Sequence, residues 1–196
     1  MKNRFLIFPI CLVWLAGCVN LKPVPSQTES FALGPVEMQA PDQSRQLENP
    51  IYIVRPQVPT YLDGSRLSYR SSSGEVINMP GARWAEPLAE GIARAVSLYL
   101  SGSVHGVVEG YYPWPNTSQN ASRLSLNFQR FGATESGEVQ VVAQWTLKPD
   151  QGEVISGQFV SDSISWQVGD PATLVAAYNE ALRTIAMDVE KSLGIR

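Results

Sequence analysis

Two stretches of this chain alternate between apolar and polar residues. Leu124, Leu126 and Phe128 are separated by Ser125 and Asn127 and followed by Gln129; Val139, Val141, Ala143, Trp145 and Leu147 repeat the period with mostly polar neighbours. Side chains on a strand point to opposite faces in turn, so a period of two predicts strands with one dry face and one wet face. A third run, with Ile155, Phe159, Val160, Ile164 and Trp166, extends the pattern. Turn signals at Ser136-Gly137 and Asp150-Gln151-Gly152 join the three runs into an antiparallel meander.

The period becomes helical at two places. Trp84, Leu88, Ile92, Val96 and Tyr99 form one apolar stripe, with Pro87 in the first turn and Gly102 as a stop. Glu86 and Glu90 lie near the positive N-terminal end, and Glu90 stands one turn from Arg94, placed to pair with it. Gly91 costs up to ~1 kcal/mol relative to Ala inside a helix, which points to a close approach between this helix and a sheet. The second helix has Asp170 as its N-cap and Pro171 at its first position. Leu174, Tyr178, Leu182, Ile185, Val189 and Leu193 line one face, and Gly194 ends it. An amphipathic sheet and two amphipathic helices can bury one another. The expected fold is α+β: an antiparallel sheet with two amphipathic helices packed on one face, a two-layer sandwich.

The rest of the chain gives weaker signals. Phe31-Ala32-Leu33 suits an edge strand, and Val36 to Asn49 a loop. Ile51 to Arg55 is a short β-rich run stopped by Pro56. Asp63-Gly64 is a turn. Leu67 to Arg70 and Glu75 to Ile77, around Ser71 to Gly74, form a small hairpin. Val104 to Glu109 reads as a strand. After it, Pro113 and Pro115 interrupt regular structure, so Tyr111, Tyr112 and Trp114 fall in a loop. Tyr and Trp are favoured at protein interfaces, which makes these three the candidate partner-binding residues. The alternative is a loop folded over the edge of the core.

The N-terminus is a different kind of sequence. Lys2 and Arg4 precede an apolar run from Phe5 to Leu15, and Ala16 and Gly17 precede Cys18. A basic start, a short apolar core and small residues before a cut site describe a signal peptide over residues 1–17. The apolar run is about half the ~20 residues that cross a bilayer. Leu15-Ala16-Gly17-Cys18 resembles a bacterial lipobox, which implies cleavage before Cys18 and acylation of that cysteine. One acyl chain binds a membrane only weakly, whereas two or three hold firmly. Val19 and Asn20 follow, not the aspartate of the familiar inner-membrane retention signal. The resemblance therefore implies lipid anchoring at the periplasmic face of the outer membrane. Pro23 and Pro25, among polar residues, make the segment up to residue 30 a tether, and residues 31–196 form the folded domain.

Composition narrows the function. The full chain has a formal charge of −3; losing Lys2 and Arg4 with the leader makes the mature chain about −5. An acidic chain is a poor partner for nucleic acid, or for anionic headgroups by bulk charge. The two cysteines are Cys11, inside the leader, and Cys18, so the mature fold has no disulfide to lean on and stands on its core. His105 is the only histidine. There is no Gly-x-Ser-x-Gly elbow, phosphate-binding glycine loop or metal-ligand spacing, so no cofactor, metal site or catalytic residue is assigned. Asp162 and Glu153 read as solvated strand residues, and the Asn116 and Asn120 sequons carry no weight in a bacterial lipoprotein.

Three segments carry a family likeness: Pro59-Thr60-Tyr61-Leu62-Asp63, Leu67-Ser68-Tyr69-Arg70-Ser71, and Arg83-Trp84-Ala85-Glu86-Pro87-Leu88-Ala89-Glu90-Gly91-Ile92-Ala93-Arg94. Together with the lipobox, the late Trp-containing strand and the closing helix, they resemble the ABC-type transport auxiliary lipoprotein family over nearly the whole mature chain. Tyr111 to Asn120 departs from the family pattern. The resemblance implies a non-enzymatic subunit of an intermembrane lipid transport system, docking a tunnel of mammalian-cell-entry (MCE) domain proteins at the outer membrane, with a homo-oligomeric ring as one arrangement. Two rivals stand beside it: a structural envelope or assembly lipoprotein that handles no lipid, and a hydrolase built on His105.

Overall fold

A computed structural model describes residues 28–37, 50–103, 108–115 and 118–193. The leader, Cys18, most of the tether, His105, Asn116 and Gly194 lie outside the described residues. The elements are β1 (Glu29–Phe31), β2 (Ile51–Ile53), a 3-10 turn (Thr60–Leu62), β3 (Arg66–Arg70), β4 (Val76–Trp84), α1 (Leu88–Ser103), β5 (Val108–Tyr111), β6 (Ser122–Ala133), β7 (Glu138–Lys148), β8 (Ile155–Val160), β9 (Ile164–Ser165) and α2 (Pro171–Ser192). They form the expected two-layer α+β arrangement, with α1 and α2 packed on each other, α2 over β7, β8 and β9, and α1 beside β5.

The meander is present as β6, β7 and β8. Leu124, Leu126 and Phe128 of β6 stand opposite Leu147, Trp145 and Ala143 of β7, all facing the helices. An irregularity between Phe128 and Arg130 resets the phase, so that Phe131 and Ala133 point inward after it. The inward side chains meet Leu174, Tyr178, Leu182, Ile185 and Val189 of α2 and Ile92, Val96 and Leu100 of α1 in one core. Asp170 caps α2 as expected: its carboxylate accepts from the backbone N–H groups of Ala172 and Thr173.

The sheet is larger and more mixed than a meander. Six strands run in the order β5-β2-β6-β7-β8, with β9 also on β7; β2 is parallel to both β5 and β6. A second sheet, β1-β4-β3, holds the expected hairpin as β3 and β4, with β1 parallel to β4. The two sheets meet where Arg70 bridges Thr134. Parallel neighbours come from distant parts of the chain, so no local turn signal announces them.

Several local expectations change. Trp84 ends β4 and does not start the helix, although it is buried and packs 6.1 Å from Tyr178. The first strand begins at Glu29, two residues before Phe31, and Leu33 lies beyond it in the core. Of the strand expected over Val104 to Glu109, residues 104–107 lie outside the described residues; β5 covers Val108–Tyr111, so Tyr111, expected in the loop, is its last residue. Val160 faces solvent because Phe159 takes the inward phase of β8, and Ile155 is partly exposed at the uncovered sheet edge. Arg94 pairs with Glu86, not Glu90: its Nε and Nη2 both donate to Glu86 Oε1. The expected close approach to a sheet is not what surrounds Gly91: the atoms nearest a Cβ built there all belong to the Glu86 side chain, at ordinary contact distances from 3.4 Å.

Candidate functional site

The aromatic loop leaves the edge of the six-stranded sheet at the end of β5. Its root is tied down by backbone bonds: the Tyr112 N–H donates to the Ile53 carbonyl at 2.9 Å, and the Trp114 N–H to the Tyr111 carbonyl at 3.0 Å. The Tyr112–Pro113 bond is cis. Tyr111 and Tyr112 are half-buried and pack against the core. Trp114 is different, with 65 % of its surface exposed. The three candidates thus divide: two tyrosines brace the loop on the core edge, and one tryptophan is presented.

Residues from elsewhere hold that presentation, and alternation alone did not find them. Tyr52 of β2 lies over Gly110, where any Cβ would come within 3.5 Å of its ring, and its hydroxyl donates to the Trp114 carbonyl. Arg55 sits 5.7 Å from the centroid of the Tyr112 ring, a cation-π distance. The Asp63 carboxylate accepts from Arg55 Nη2 and pushes that guanidinium further above its ordinary pKa. Asp63 closes the Tyr61-Leu62-Asp63 motif, so this motif reaches the aromatic loop through Arg55.

The entry of the tether is also fixed. β1 adds to β4, and Leu33 and Gly34, just beyond it, are each held by one of the helices. Arg94 Nη2 of α1 donates to the Leu33 carbonyl at 2.8 Å, and the Gly34 N–H donates to Asn179 Oδ1 of α2 at 2.7 Å. A pull on the segment leading back to Cys18 is therefore delivered to both layers.

Among the described residues no three His, Cys, Asp or Glu side chains converge as a metal-binding group, and no helix is long and apolar enough to cross a membrane. Asp162 and Glu153 are exposed, as solvated residues are. Tyr178, wholly buried and stacked 4.3 Å from Phe131, has its pKa raised chiefly by burial, as a core tyrosine does.

The fold belongs to a known class. The model of the ABC-type transport auxiliary lipoprotein component matches residues 31–190, and the chain belongs to that family, which is not an enzyme family. The chain is similar to the intermembrane transport lipoprotein PqiC of Escherichia coli (strain K12), with 24% identity over 194 residues, covering 93% of this chain and 95% of that one. PqiC of Shigella flexneri matches to the same extent. Two crystal structures share the fold. An uncharacterized protein gives a TM-score of 0.63 at 18% identity, covering 80% of this chain and 99% of that one. A Xanthomonas campestris protein gives 0.62 at 20% identity, covering 82% and 92%.

Proposed function

We propose that this chain is a lipid-anchored periplasmic subunit of an MCE-type intermembrane lipid transport system, held at the outer membrane. The observation that carries the reading is the likeness to the intermembrane transport lipoprotein PqiC across 93% of the chain. Residues Leu15 to Cys18 support it from the sequence side: Cys18 becomes the acylated first residue, and residues 1–17 are removed. The tether gives the domain reach, and the β1 clamp transmits the anchor's pull. The aromatic loop, with Trp114 exposed on it, docks the tunnel of MCE-domain proteins, and a homo-oligomeric ring is the assembled form. No bond is made or broken; the domain positions a conduit.

The test is a paired measurement on the protein from cell envelopes. Intact-mass spectrometry is expected to give a polypeptide beginning at Cys18 with acyl mass added, and affinity capture is expected to recover an MCE-domain protein. A free thiol at Cys18 overturns the anchoring. Capture of only an outer-membrane assembly barrel overturns the transport role and favours an envelope-stabilising lipoprotein.

A further inference from the structure

On the wet face of the six-stranded sheet, Arg123 of β6 stands directly opposite Lys148 of β7. Both neighbours of Arg123 point into the core, as does Leu147, so the two cations share the solvent face. Like charges directly opposite on neighbouring strands repel and weaken the sheet. Among the described residues, neither cation forms an ion pair or a hydrogen bond that offsets this. The pair sits in a groove of about 320 Å³ lined also by Gln119, Ala121, Pro149 and Asp150. The next two rows of the face, Ser125 with Thr146 and Asn127 with Gln144, carry no charge. In a chain whose net charge is acidic, two adjacent unpaired cations at the mouth of a groove are a local feature, not an effect of bulk charge.

We propose that the groove between Arg123 and Lys148 binds a phosphate group. The guanidinium offers a planar fork to two oxygens, the ammonium adds a point charge, and the Gln119 amide supplies a neutral donor on the rim. Asp150 leaves the groove with one net positive charge, which suits the single negative charge of a phosphodiester. Bound phosphate would relieve the repulsion that the two strands otherwise carry. On its other side Arg123 stands opposite Tyr52 of β2, whose hydroxyl holds the Trp114 carbonyl, so the groove adjoins the root of the aromatic loop.

The test uses the full-length protein in a non-ionic detergent and three probes: inorganic phosphate, soluble glycerophosphoglycerol, and phosphatidylglycerol added to the micelles. Binding is read by calorimetry and by 31P line broadening. At least one probe is expected to bind, and the double variant R123Q/K148Q is expected to lose at least about fivefold in affinity for it. Lys148→Arg, which keeps the charge, is expected to bind as the parent does. Inorganic phosphate binding as tightly as the two diesters identifies a free phosphate ligand; preference for glycerophosphoglycerol or phosphatidylglycerol over inorganic phosphate identifies a lipid headgroup. Because both side chains are exposed, the variant is expected to melt at the same temperature as the parent or slightly above it, which separates lost binding from lost folding. No binding by any probe, or binding unchanged in the double variant, overturns the proposal. Capture of an MCE-domain protein by the parent chain is a separate readout, so failure of the phosphate site and failure of the docking role are told apart.

Discussion

Trp145 and Trp114 are the same residue type put to opposite uses. Trp145, in the middle of β7, is 2 % exposed. Its indole N–H donates to Asp188 of α2 at 2.9 Å, and its ring lies against Gly157 of β8, where a Cβ would come within 2.6 Å of the ring carbons. One side chain thus joins the sheet to the second helix. Trp114 has no comparable enclosure; its backbone is held by Tyr52 and Tyr111 while its ring stands in solvent. A buried tryptophan needs a partner for its N–H and a neighbour that makes room, and both are present at 145. An exposed one, on a loop whose root is braced, carries no part of the core and is free to serve recognition.

The contrast can be broken in order of effect. Trp145→Ala removes a buried ring between β7 and α2 and leaves the Asp188 carboxylate without its indole donor; a loss of about 3–5 kcal/mol is expected in chemical denaturation. A loss below about 1 kcal/mol would remove Trp145 from its central place. Gly157→Ala forces a methyl into the Trp145 ring, and about 1–3 kcal/mol of destabilisation is expected in the same assay. Tyr178→Phe tests the core through pH. The folded-state pKa of Tyr178 is raised above its ordinary value of 10.0 by burial. Its contribution is therefore fully present below about pH 10 and falls as the pH rises further, because the unfolded chain ionises first. The phenylalanine variant is expected to show a shallower loss of stability above pH 10, and an unchanged slope would contradict this burial. Trp114→Ala is expected to change stability by less than about 0.5 kcal/mol, as at a surface position, while impairing capture of the partner. A large drop in melting temperature for this variant would move Trp114 into the structural class.

The sequence made these two regions legible to different degrees. The meander and α2 were readable because their signals are local and repeated: a period of two over β6 and β7, a cap and proline at Asp170 and Pro171, and an apolar stripe through α2. The three-residue strands β1 and β2 are too short for a period to show, and their parallel neighbours lie far away in the chain. Gly157 looked like any glycine in a strand until its place opposite Trp145 was known. Glu86 lies eight residues from Arg94, outside the helical spacing that favoured Glu90. At the aromatic loop, sequence picked out three residues by type but did not separate the bracing tyrosines from the presented tryptophan. Tyr52, Arg55 and Asp63 support that loop through contacts that no periodicity encodes. The proposed lipobox is the reverse case: a linear motif of that kind is read from the residue string alone.

The docking role of the aromatic loop is tested most directly by photo-crosslinking in living cells. A photoreactive amino acid is placed at position 114 and, for comparison, at Met187, which is exposed on α2. The account predicts a specific crosslink to an MCE-domain protein from position 114 and none from position 187. A crosslink from 187 with none from 114 would contradict it.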